Sequence, residues 1–112
     1  MLFRSSRAAA IAPVPFSAVI LESEANASYF ENPAFYADQL ERWAELIEDV
    51  GGTVRVARSA EELGAATVDE LMVLPESPCL SSEELAILGA HLARGGSVVT
   101  NWALGVRDGA CE

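Results

Sequence analysis

Apolar runs of four to six residues alternate with longer segments in which apolar positions recur every three or four residues, and this alternation dominates the chain. Phe16–Leu21 is a continuous run rich in branched side chains, the pattern of a strand buried on both faces. Glu22–Asn32 reads as a polar loop carrying two aromatics, Tyr29 and Phe30. Asn32-Pro33 then predicts a helix start, because an asparagine oxygen can accept from free amides and proline suits the first helical position. Tyr36, Leu40, Trp43, Ile47 and Val50 fall on one face of that helix, acidic residues fill most of the rest, and Gly51-Gly52 stops it.

The alternation continues to Gly105. Thr53–Ala57 predicts a second strand, with Arg55 at an edge or facing outward. Ser59 and Glu62 have capping-box spacing and open a short helix that Gly64 weakens. Glu70–Leu74 is a third strand, uniformly apolar after its first residue. Ser81 and Glu84 repeat the capping box, and Leu85, Leu88 and Leu92 are expected to form the apolar face of the helix that follows. Gly95-Gly96 ends it, and Ser97–Thr100 is the fourth strand.

Strands separated by helices pair in parallel through right-handed crossovers. The expected fold is therefore an α/β three-layer, flavodoxin-like parallel sheet of four strands in order 2-1-3-4, with about three helices. The first helix would cover one face near strands one and two, and the other helices the opposite face. A fifth strand would ordinarily lie beside the fourth, and no segment after Gly105 supplies one. The domain is expected to be incomplete, with strand four an open edge that a further C-terminal domain or a second copy would cover.

Composition narrows the function classes. The chain has 112 residues, 51% hydrophobic, with 17 acidic and 7 basic residues and a formal net charge of −10. Such an excess of negative charge disfavours phosphate backbones and anionic lipid, so no nucleic-acid partner is expected. Arg4 and Arg7 precede a short apolar run that Pro13 and Pro15 interrupt. Residues 1–16 therefore read as a flexible leader, with residues 17–112 as the folded part. The compartment stays open between the cytoplasm and export through an atypical signal, and no stretch reaches the ~20 apolar residues of a spanning helix. Cys79 and Cys111 are too few to suggest a disulfide framework, and their spacing matches no metal site. They read as structural thiols, and His91 reads as a helix-surface residue. Neither a metal nor a cofactor is expected.

Ligands of open α/β sheets bind beyond the carboxyl ends of the strands. That rule selects Glu22 and Glu24 after strand one, Glu76 after strand three, and Asn101 and Trp102 after strand four, with Arg107 and Asp108 folding back over the same rim. Carboxylates and an amide beside an indole suit a polyhydroxylated ligand such as a carbohydrate. A phosphoacceptor site would need an aspartate where Glu76 stands and a lysine, which the chain lacks. A flavin-phosphate loop is equally out of place, because Glu22 and Glu24 would repel phosphate.

Met72–Pro75, Cys79–Ser81, Ala93–Gly96 and Val99–Gly105 form a set: an apolar strand ending in Leu-Pro, a capped helix ending in Gly-Gly, and a strand leading into a glycine turn. Over residues 17–108 this order resembles the class I glutamine amidotransferase-like superfamily. It is most similar to nucleophile-lacking branches such as the domain called the β-galactosidase trimerisation domain. Catalytic members place a cysteine just after the last strand, where this chain has Asn101-Trp102, so no catalytic residue is assigned. Pro75–Pro78 replaces the glycine-rich loop those enzymes use as an oxyanion hole. The resemblance implies a non-catalytic ligand-binding or assembly module, often part of a larger carbohydrate-active protein. Two alternatives remain: an unconventional amidohydrolase using Cys79 or Cys111 with His91, and a truncated fragment with no independent role.

Overall fold

A computed structural model describes residues 15–101 and 103–112. The leader expected over residues 1–16 lies almost wholly outside the described residues. Its last member, Phe16, is instead the first residue of β1 and packs against the core.

Four parallel strands form one sheet in the order β2-β1-β3-β4: β1 (Phe16–Leu21), β2 (Gly52–Ala57), β3 (Leu71–Leu74) and β4 (Val98–Thr100). β1 is central, paired with β2 along its whole length and with β3 from Ala18 to Ile20. Its uniform apolarity follows from that position, since Ala18, Val19, Ile20 and Leu21 are all buried and no face is left for water. Four helices connect the strands: α1 (Glu24–Tyr29), α2 (Pro33–Asp49), α3 (Ala60–Gly64) and α4 (Ser82–Ala93). The expected strand order and three-layer α/β architecture are thus the observed ones.

The two faces of the sheet carry separate cores. Ala18, Ile20 and Val73 pack with Ile47, Leu40 and Trp43 of α2 on one side. Val19, Leu21, Met72 and Leu74 pack with Leu63 of α3 and Leu88 of α4 on the other. Local chemistry sets the helix starts as anticipated. Asn32 accepts from Ala34 N–H, Ser59 from Glu62 N–H, and Ser81 with Glu84 closes a full capping box. Arg55 sits on the outer strand and grips Glu70 through two bonds of 2.9 and 3.1 Å. The guanidinium holds the Glu70 carboxyl below its ordinary range.

Four expectations need correction. Glu22–Asn32 is not only a loop: Ser23 caps α1 by accepting from Asn26 N–H. Val50 lies at the α2 cap and is 52% exposed, because the chain turns away there into Gly51. The buried face of α4 is Leu88 and His91, flanked by half-buried Glu84 and Ile87, while Leu85 and Leu92 are 48% and 54% exposed. Packing against Leu63 and the sheet rotates the helix away from its all-leucine stripe. His91 is consequently an interior residue, and neither ring nitrogen has a hydrogen-bond partner. Gly96 is what admits the ring: a Cβ there would lie 2.6 Å from His91 Cε1.

Candidate functional site

The connection from β3 to α4 is buried, which is unusual for a loop, because buried backbone needs partners that water would otherwise supply. Every residue from Pro75 to Leu80 is buried. Pro75 and Pro78 remove two of the donors at the outset. The Pro75 carbonyl accepts from the Ser77 hydroxyl, and the Ser77 carbonyl from Gly105 N–H. Pro78 and Leu80 exchange bonds with the backbone of Arg107, which lies alongside Cys79 like a one-residue strand. The backbone of Cys79 is served by a side chain from α1. Asn26 Nδ2 donates to its carbonyl at 3.0 Å, and Asn26 Oδ1 accepts from its N–H at 2.8 Å.

Cys79 is also joined to Cys111 by a disulfide, with Cα atoms 5.0 Å apart. This overturns the reading of both cysteines as structural thiols, and no described cysteine is free. Residue spacing could not show the pairing, because the return of the tail along the loop is what brings Cys111 to Cys79. Closing a loop of this size contributes about 2–4 kcal/mol. The tail needs such help. The Arg107 backbone makes two bonds to the loop, while others are internal to the tail, with Asp108 Oδ1 accepting from Ala110 and Glu112 N–H. Val106 contributes little burial, being 67% exposed.

At the carboxyl ends of β3 and β4 the structure brings Glu76 and Asn101 together. Glu76 N–H donates to Asn101 Oδ1 at 2.9 Å, and Asn101 Nδ2 donates back to Glu76 Oε1 at 3.0 Å. Glu76 holds a φ of 45°, a left-handed backbone that costs a non-glycine residue free energy. The Asn101 side chain is what braces it. Phe30 and Phe35 stand opposite, their ring centroids 5.3 Å apart, and the four residues line an open depression of about 470 Å³. Phe30 also stacks on Tyr36 at 6.3 Å. Tyr36 is in turn fixed by its hydroxyl, which accepts from Ser23 N–H at 2.8 Å. Burial pushes the Tyr36 phenol up to about 12, against the opposing effect of that backbone bond.

The remaining expected site residues are elsewhere. Glu22 and Glu24 line a separate depression of about 240 Å³ with Ser23, Ala27 and Arg58. There Glu22 meets Arg58 at 3.4 Å in an exposed ion pair worth little. Trp102 lies outside the described residues. Arg107 lies beside Cys79, and its guanidinium is 5.4 Å from the centre of the Tyr29 ring on α1. The aromatic wall of Phe30 and Phe35 was not anticipated. Aromatics on both sides of the Asn32-Pro33 helix start were the available signal, since a capped start fixes where both point.

The arrangement offers an apolar wall and a braced carboxylate–amide pair. Among the described residues it offers no free thiol, since both sulfurs are in the disulfide, and the amides of Glu76 and Cys79 are donated to asparagine side chains. Among the described residues there is no cluster of three metal-ligating side chains, and no helix is long and apolar enough to cross a membrane. The chain matches no protein-family model, and no curated protein or solved structure is significantly similar to it.

Proposed function

We propose that this domain is a non-catalytic binding module whose ligand is polyhydroxylated, of the carbohydrate class, held in the depression between Phe30, Phe35, Glu76 and Asn101. The observation that carries this reading is the placement of two phenyl rings opposite a braced carboxylate–amide pair. Aromatic faces suit the C–H face of a sugar ring, while a carboxylate and an amide together accept from and donate to its hydroxyls. The resemblance to nucleophile-lacking amidotransferase-like domains of carbohydrate-active proteins points the same way. An amidohydrolase built on Cys79 or Cys111 would need a thiol that the disulfide removes.

Calorimetric titration with cello-, malto- and chitopentaose tests the proposal. At least one should bind the wild-type domain, and Phe35→Ala and Asn101→Ala should each weaken it about tenfold or more. Silence from all three pentaoses, or binding indifferent to both substitutions, would overturn the reading.

A second reading, assembly, is favoured by β4. It has a neighbour on one side only among the described strands, and its Val99 is half-buried on the face that α2 covers farther along the sheet. Light scattering that returns a dimer or larger species would support it, and a strict monomer would remove it.

A further inference from the structure

We infer that the Cys79–Cys111 disulfide is a redox control on the binding depression, an inference that rests on the binding reading above. Reduction would free the Val106–Glu112 tail and loosen the aromatic wall.

Cys79 is three residues past Glu76 in the same buried loop, and its backbone is held by Asn26 of α1. The tail then presses on α1 from the outside. Arg107 lies over the Tyr29 ring, and the Cys111 sulfur is 3.2 Å from the Ala25 carbonyl oxygen. Tyr29 meets Phe30 edge-on at 5.2 Å, and Phe30 meets Phe35 at 5.3 Å. The wall of the depression is thus the continuation of the helix that the tail clamps.

Two features make this clamp releasable. The exposed tail buries little apolar surface of its own, so the covalent link decides whether it stays. The two sulfurs also differ in access. Cys79 is buried, whereas Cys111 is half-buried and lines an open depression of about 350 Å³ with Ala25, Ser28, Tyr29, Gly109 and Ala110. A thiolate of a dithiol reductant therefore attacks Cys111 Sγ. The mixed disulfide forms there, and Cys79 leaves as a thiolate that takes a proton. The second thiol of the reductant then displaces Cys111, releasing it as a thiol. The reductant departs as a cyclic disulfide, and two electrons and two protons have passed to the protein.

Hydrogen exchange on the full chain, with and without dithiothreitol, reads the clamp without any ligand. Amides of Glu24–Phe35 and Ala103–Glu112 should exchange faster on reduction, by a factor at least tenfold greater than any change in the β1 and β3 amides. Cys111→Ser should match the reduced protein and ignore dithiothreitol. Equal acceleration everywhere would mean a staple for the whole fold, and unchanged exchange at Glu24–Phe35 would mean a tail without influence; either overturns the inference. Affinity for the pentaose that binds the oxidised protein should fall at least tenfold on reduction. If no pentaose binds, the binding reading fails while the exchange result still decides the clamp.

Discussion

The two halves of the sheet are held by different means. Around β1 and β2 the buried side chains are apolar, α2 covers one face, and the strands pair over six positions. Around β3 and β4 the pairing shortens to three positions, and the joining loop is secured by Asn26, Asn101, a returning tail and a disulfide. The first half is stabilised mainly by area removed from water. The second is secured by satisfied polar groups, and one bonded pair of them, Glu76 and Asn101, lines the hollow of about 470 Å³.

That contrast is sharpest between buried Ile20 and half-buried Val99. Ile20→Ala should lower stability by about 3–4 kcal/mol in urea unfolding, because it opens a cavity between α2 and the sheet. Val99→Ala on the open side should cost less than about 1 kcal/mol. Equal losses would erase the distinction between the halves.

Asn26→Ala tests whether a polar pin can matter nearly as much as a core side chain. It strips both bonds from a buried Cys79 backbone and should cost about 2–3 kcal/mol, with Asn26→Asp recovering only the accepting half.

Tyr36 belongs to both halves, since its ring packs with Phe30 and its hydroxyl serves the end of β1. Its folded-state pKa lies above the ordinary value of 10.0, so its contribution is intact below pH 10. That contribution of about 2–3 kcal/mol should disappear as pH rises from 10 towards 12. A Tyr36→Phe variant should start out weaker at neutral pH, with Ser23 N–H left unpaired, and should lose less on alkalinisation. Parallel pH profiles for the two proteins would sink this assignment.

The smallest effect should run in the opposite direction. His91→Leu removes two unpartnered nitrogens from the interior and should be neutral or stabilising by about 1 kcal/mol in thermal unfolding. A loss above that range would mean that the imidazole has a polar role.

The architecture was legible because its signals are local. Apolar runs marked the strands, and Asn32, Ser59 and Ser81 marked helix starts, since a cap depends only on residues within a turn of it. Glu76 and Asn101 were legible from topology, as they follow adjacent strands in the predicted order. What stayed hidden depends on contacts distant in sequence. α1 buries only Asn26, so no apolar period announces it. The turn of α4 that buries His91 in place of Leu85 and Leu92 is dictated by Leu63 and Gly96, not by the helix itself. Glu22 and Glu24 passed the same topological rule as Glu76, yet the β1 end turns into α1 and carries them to a different hollow.

Asn26 has a consequence for how this fold can vary. Its side-chain amide meets one backbone unit with a donor and an acceptor, as a neighbouring strand would, so a helix supplies one rung of ladder to the loop. Insertions between Leu21 and Asn26 would slide that rung out of register, whereas changes at Glu31, past the helix and Phe30, would leave it in place. The spacing from β1 to Asn26 is therefore a fixed length in an otherwise adjustable connection, and engineered loop grafts should enter on its far side.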